Sequence, residues 1–436
     1  MCLYVSLYLT LLLRFGSSFD AAIWRRHFYP FTLIYCIWIV VFYIVGLYDL
    51  SIFNKIGEFV QKLLISSVIN FFIAVTFFYI YAILTPKTNL LINLGIFAVL
   101  LSCWRYIYIK FAVSEGQVSN VLLIGCDKTS FELFERLVKA PMFGYKLAAI
   151  VHTEKIEKSL FGQVRFSQNF SDIEAIVKEE KIDTVVVKDE FYQDISSILY
   201  ELLPSGINVF NLPTFWEEFS QEIPILFTNE IWFLENLRGT QKRTYEIIKR
   251  GLDIFFSIIF GTILLIFYPF IIIAIKVTSS GPAFYRQERV GKNGKIFEII
   301  KFRTMGVDSE PNGAVWTQKN DSRVTKFGRI LRNLHFDEFP QLWNILKGDM
   351  SFIGPRPDRP EFIARLKQIV PHYQLRYLMR AGLTGWAQIN YPCGSSTEDT
   401  LRKLQYDLYY LKNRSLILDF AIILKTINAV FLGERR

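Results

Sequence analysis

The chain has 436 residues, 52% of them hydrophobic and 16% aromatic, which excludes an ordinary water-soluble globular protein and points to a membrane protein with soluble parts. Lys and Arg outnumber Asp and Glu by 49 to 40, a net charge of +9. That excess suits anionic lipid head groups, phosphorylated substrates or nucleic acid, and alone does not choose among them.

Apolar stretches at 1–13, 31–48, 63–84 and 90–109 predict four membrane spans within residues 1–113, because a hydrocarbon layer of ~30 Å takes about 20 residues to cross. The 63–84 stretch has that length outright, whereas the first is short. The five cysteines, Cys2, Cys36, Cys103, Cys126 and Cys393, show no CxxC pair and lie partly in these runs, so neither a disulfide framework nor a zinc site is expected.

From 119 to 235 the texture changes to short apolar runs alternating with amphipathic ones: "VLLIG" (121–125), "FELFERLVK" (131–139), "KLAAIVH" (146–152), "DIEAIVKEE" (172–180), "DTVVV" (183–187), "DISSILYELL" (194–203) and "INVF" (207–210). Strands alternating with helices predict a parallel sheet in an α/β Rossmann-like module. Its phosphate-binding turn is degenerate. Where GxGxxG would let backbone amides approach a pyrophosphate, the chain has Gly125 followed by Cys126, Asp127, Lys128, Thr129 and Ser130, so a structural or regulatory role is expected ahead of a bound dinucleotide.

The next run, 253–277, is apolar from Ile254 to Ile275 and long enough to span, yet Lys242, Arg243, Lys249 and Arg250 precede it and Lys276, Arg286, Arg289 and Lys292 follow. Cationic flanks favour the cytoplasmic side, so both ends call for the same side. Pro269 removes a helix donor and pushes Tyr268 away from helical geometry. A re-entrant helix with a break at Pro269, about 254–275, satisfies both observations.

The C-terminal third holds a basic hairpin-like stretch with turns at Gly291 and Asn293-Gly294, then a helix carrying Arg329 and Arg332, then "LHFDEFPQLWN" (334–344). "PQLWNILKG" reads as a short helix with Pro340 in its first turn and Gly348 past its end. Asp337 and Glu338 therefore sit at the positive end of that helix, among cations.

"KFRTM" (301–305), "DEFPQLWNILKGDMSFIGPRP" (337–357), "GLTGWAQIN" (382–390) and "YDLYYLKNRSLILD" (406–419), in that order, resemble the catalytic domain of the bacterial sugar transferases, the polyprenyl-phosphate hexose-1-phosphate transferases. The resemblance covers residues 243–436. The span-rich start and the Rossmann-like module resemble the long form of the family. The implied fold is a membrane protein with an α-helical transmembrane bundle, the α/β module, and a mainly α-helical monotopic catalytic domain with a re-entrant helix. Phe339 and Ala381 depart from the family's usual Leu and Pro, which concerns packing and loop stiffness rather than the acids.

The resemblance implies transfer of a hexose-1-phosphate from a UDP-sugar to undecaprenyl phosphate, an initiating step of exopolysaccharide, O-antigen or capsule assembly at the cytoplasmic face of the bacterial inner membrane. By its match to the family's Asp-Glu dyad, Asp337 is the expected nucleophile and Glu338 the expected ligand of Mg²⁺, a hard cation that takes oxygen donors. Lys301, Arg303, Arg329, Arg332 and Arg356 are the candidates for offsetting phosphate charge. Expected partners are membrane lipid and the two substrates, with room for a homodimer and none for nucleic acid. The alternatives are a metal-dependent glycosyltransferase moving only the sugar, against which the absence of any DxD counts, and a noncatalytic membrane scaffold. Glucose or galactose leads among the sugars by analogy, with an N-acetylated sugar open.

Overall fold

Long apolar runs coil into helices because in hydrocarbon every backbone N–H and C=O must be satisfied within the segment. The computed structural model describes residues 1–48, 56–81, 87–112, 119–126, 130, 145–152, 164–237, 242–306, 321, 323–392, 394 and 396–431. They fall into two compact units, Met1–Phe215 and Trp216–Arg436.

The first unit opens with helices α1 (Cys2–Phe15), α2 (Ala21–Ile44), α3 (Ile56–Tyr81) and α4 (Lys87–Ala112). Four spans were expected. Among the described residues three helices are long and apolar enough to cross a membrane, Ala21–Ile44, Ile56–Ile80 and Thr88–Tyr108. Helix α1 has 14 residues; at 1.5 Å per residue it reaches about 21 Å, short of a ~30 Å core. It packs in the bundle through Leu3, Leu7 and Leu11. Asn93 ties two helices to its own, donating to Ser6 Oγ at 3.0 Å and accepting from the Tyr35 hydroxyl at 3.1 Å, the kind of polar bond that joins helices where no hydrophobic drive separates protein from lipid.

The α/β module follows, with strands β1 (Ser119–Ile124), β2 (Tyr145–Val151), β3 (Arg165–Ser167), β4 (Ile182–Val187) and β5 (Asn208–Asn211), and helices α5 (Ile173–Glu179) and α6 (Tyr192–Leu202). All four ladders are parallel and the order is β3-β2-β1-β4-β5. This is the order of the first five strands of a Rossmann-like sheet. The helix expected over 131–139 and turn residues Asp127 to Thr129 lie outside the described residues. Gly125 has a φ of +83°, and a Cβ there would come within 2.5 Å of the Phe191 ring. Phe191 thus packs against the Gly125 backbone where a side chain would otherwise stand.

The second unit takes in the segment after Phe215: Ile223, Ile225, Trp232 and Phe233 share a core with Tyr373, Leu404, Leu408 and Tyr410. Helix α7 is Glu230–Asn236, α8 Arg243–Leu265 and α9 Tyr268–Thr278. Helices α8 and α9 bend by 60° at their break, and Pro269 stands in the first turn of α9, where its missing N–H costs nothing. The hairpin β6 (Phe284–Val290) and β7 (Ile296–Phe302) is antiparallel and turns through Asn293 and Gly294, both at positive φ. After it come α10 (Lys326–Asn333), α11 (Gln341–Lys347), β8 (Met350–Ile353), α12 (Pro360–Ile369), β9 (Ala381–Thr384), α13 (Thr397–Asn413) and α14 (Leu416–Phe431). Strands β8 and β9 pair in parallel.

Helix α8 is polar on one side only. Arg250 donates to the Ile345 and Leu346 carbonyls at 2.5 and 2.7 Å, capping the end of α11. One turn on, Asp253 accepts from Ser351 Oγ and Phe352 N, both at 3.1 Å, and Lys249 pairs with Asp419 at 2.9 Å. Around the other side Ile247, Ile248, Phe255, Ile258, Ile259 and Ile263 are exposed. Helix α8 is thus docked on protein by its polar stripe and leaves its apolar stripe bare.

Candidate active site

Three local devices place the acidic pair. Gly328 brings α10 down onto the end of β7, where a Cβ would sit 2.1 Å from the Thr304 carbonyl, so no larger residue fits. Thr325 caps that helix by accepting from Gly328 N at 2.9 Å. His335, at φ +57°, ends it in a left-handed turn, which reverses the chain into a 3-10 turn, Phe336–Glu338. Helix α11 begins after Pro340 and closes on Gly348 at φ +97°, the left-handed C-cap that glycine takes without strain. Asn344 then clamps α11 to β7, accepting from Ile300 N at 3.2 Å and donating to the Glu298 carbonyl at 2.7 Å.

This clamp sets Lys301, one residue beyond, against the acids. Its Nζ donates to Glu338 Oε1 at 2.7 Å, and Arg356 Nη2 reaches the same oxygen at 3.2 Å. Glu338 is held well below the ordinary carboxylate range: burial opposes its charge, and Lys301 and Arg356 more than offset that. Asp337 is only 8% exposed and goes the other way. Burial pushes its carboxyl up, the charge of Glu338 adds to this, and Lys301 and Arg332 pull back, leaving it at about 6. Two adjacent acids thus have opposite environments, the arrangement that gives neighbouring carboxylates separate chemical roles.

The remaining candidate cations differ in what they touch. Arg332 Nε donates to Thr304 Oγ1 at 2.8 Å, within electrostatic reach of Asp337. Arg303 is buried and bonds the Ser279 carbonyl at 2.9 Å, while its Nε and Nη1 have no hydrogen-bond partner among the described residues. Arg329 is exposed on α10. Pro269 lies at the bend of α8 and α9. Among the described residues no group of three His, Cys, Asp or Glu could hold a metal.

Sequence reasoning missed the residues that fix this geometry. Asn344 and Arg250 carry no motif-level sign of their partners. Asp253 carried one, a carboxylate opening an otherwise apolar run. Arg376, buried against the "GPRP" loop, like Asn344 and Arg250 carries no motif-level sign of its partners.

A family model of bacterial sugar transferases matches residues 244–433. A UDP-N-acetylgalactosamine-undecaprenyl-phosphate N-acetylgalactosaminephosphotransferase of Aeromonas hydrophila is 36% identical over 263 residues, 55% of this chain and 61% of that protein. The chain therefore spans under two thirds of that relative's length. A UDP-glucose:undecaprenyl-phosphate glucose-1-phosphate transferase of Klebsiella pneumoniae is 30% identical over 331 residues, 72% of this chain and 68% of the relative. An exopolysaccharide production protein, PSS, of Rhizobium leguminosarum bv. phaseoli is 38% identical over 187 residues, 42% of this chain and 94% of the relative. With its dyad and flanking motifs inside the matched region, the chain belongs to the bacterial sugar transferase family.

Proposed function

We propose that the chain transfers a hexose-1-phosphate from a UDP-sugar to undecaprenyl phosphate at the cytoplasmic face of the bacterial inner membrane, releasing UMP, through a phosphosugar ester on Asp337. The observation that carries this reading is the inequality of the two acids: Glu338 is neutralised by Lys301 and Arg356, while Asp337 is pushed up to about 6. A carboxylate of that basicity is still ionised at neutral pH and is a better nucleophile than an ordinary one.

In the first half-reaction an Asp337 oxygen attacks the sugar-bearing phosphorus. The bond from that phosphorus to the bridging oxygen breaks, and its electron pair leaves with UMP. In the second, a phosphate oxygen of the lipid attacks the same phosphorus and returns the electron pair to Asp337. The product is a sugar joined to the lipid through a diphosphate. Lys301, Arg332 and Arg356 offset the charge that gathers on the phosphoryl oxygens in both steps.

Mg²⁺ binds through one or two carboxylates and completes its shell with water and substrate phosphates, and Glu338 is the carboxylate that would hold it here. When bound it would supply positive charge to the diphosphate. The bend at Pro269 and the one-sided polarity of α8 support a re-entrant segment over 254–275, which keeps the dyad's unit on one side of the membrane. Purified protein given UDP-glucose, UDP-galactose or an N-acetylated UDP-hexose with undecaprenyl phosphate tests the reading: UMP and lipid-linked sugar phosphate are expected, and UDP release would contradict it.

A further inference from the structure

Four consecutive carbonyls of the "GPRPD" loop are gripped by three elements: β9, the turn that carries Arg376, and β6. Pro355 O accepts from Gly382 N at 2.9 Å, Arg356 O from Arg376 Nη2 at 3.1 Å, Pro357 O from Arg289 Nη1 at 2.9 Å, and Asp358 O from Val290 N at 2.9 Å. Pro355 and Pro357 also fix their own φ. The Arg356 side chain is what this loop sends outward to Glu338.

Of the four grips, Arg376 is the most elaborately held. Its side chain is 7% exposed. Nη1 donates to Asp358 Oδ2 and to the Tyr373 hydroxyl, each at 2.6 Å, and Nη2 pairs with Asp407 Oδ2 at 2.9 Å. The Tyr373 and Tyr377 hydroxyls donate to Asp358 at 2.7 and 3.3 Å. A buried cation of this kind is costly for stability compared with apolar packing. Asp407 and the carboxylate of Asp358, itself a loop residue, satisfy its charge without any need for the bond to the Arg356 carbonyl. That bond leads to the backbone of the loop residue whose side chain reaches Glu338.

We propose that Arg376 is a positioning residue for the transfer reaction: by bonding the Arg356 carbonyl from a rigid buried cluster, it holds the Arg356 guanidinium at Glu338. This rests on the transferase reading for its kinetic consequence and on the loop geometry for its structural one. A lysine cannot replace it, since one ammonium lacks the planar fork that spans a carbonyl and two carboxylates.

The test is a double-mutant cycle on UMP release with thermal melts, alongside amide exchange of residues 354–359. R376Q is expected to lower kcat about 10- to 100-fold, and to lower it less than about twofold further in an R356Q background, because residues acting as one unit are not additive. R376K is expected to melt nearer to wild type than R376Q while keeping the kinetic defect. Amides of 354–359 are expected to exchange faster in R376Q. Should R376Q not fold, Tyr373→Phe, which removes one hydroxyl from the cluster, is expected to show a smaller defect that likewise vanishes in R356Q. Equal losses with and without Arg356, or unchanged loop exchange in a folded variant, would overturn the proposal. Wild-type protein that released no UMP would instead contradict the transferase reading, and loop exchange would then decide the role of Arg376.

Discussion

Lys301 and Glu338, 37 residues apart, close a 2.7 Å ion pair between the end of a β-hairpin and a 3-10 turn, with their side chains 18% and 14% exposed. The pair lets a buried carboxylate stay charged beside a second one. Lys301→Met leaves Glu338 with Arg356 alone. Breaking a buried pair from one side costs about 3–5 kcal/mol when nothing else compensates, so with Arg356 in place the expected loss is about 2–4 kcal/mol, read from urea denaturation. UMP release should fall at least about 100-fold, since the phosphate loses a cation as well.

The shifted carboxyl of Asp337 predicts opposite pH behaviour for activity and stability. Activity needs the carboxylate, so kcat should rise with pH through about 6. Stability runs the other way. The folded-state pKa lies above the ordinary value of 3.8, so the folded form binds the extra proton, and stability is lost as pH rises from about 4 to about 6. Asp337→Asn removes that titration. It should be inactive yet more stable than wild type at pH 7.5, by up to about 3 kcal/mol, with the difference shrinking toward pH 4. Melts at the two pH values check the sign.

The 60° bend before Pro269, with Arg250 and Asp253 bonded to the catalytic body, predicts that both ends of 254–275 face the same side. Single cysteines placed before 251 and after 277, in a background without the native cysteines, should react with an impermeant maleimide from one face only. Pro269→Leu should shift the segment toward labelling from both faces.

Asn344 joins α11 to β7 by two bonds. Asn344→Ala leaves buried backbone groups unpaired, at a cost of about 1–3 kcal/mol. Because Lys301 then loses its register against Glu338, kcat should fall more than KM changes, which steady-state kinetics will show.

The acidic pair, the "GPRP" arginine and the apolar run broken at Pro269 were legible because each is local: adjacent acids, a motif of four residues, a proline in an apolar helix. The parallel sheet was legible from alternating periods. What lay beyond the sequence is the set of contacts made across the fold. Lys301 and Arg303 are two apart and both cationic, but β7 ends at Phe302, so Lys301 meets Glu338 while Arg303 bonds the Ser279 carbonyl. Arg376 finds its partners at Arg356, Asp358 and Asp407, which no periodicity relates. The first apolar stretch shows the limit of composition, since hydropathy marks a helix there but its length falls short of a span.

The most direct test of the central claim is trapping of the covalent species. Wild-type protein is mixed with UDP-sugar carrying a labelled β-phosphate and with Mg²⁺, without lipid acceptor, then quenched and digested. Nucleophilic attack by Asp337 predicts a burst of UMP near one per active protein and a phosphosugar adduct on the peptide holding Asp337, both lost in Asp337→Asn. A protein that turns over once undecaprenyl phosphate is added, yet gives neither burst nor adduct without it, would contradict the covalent route.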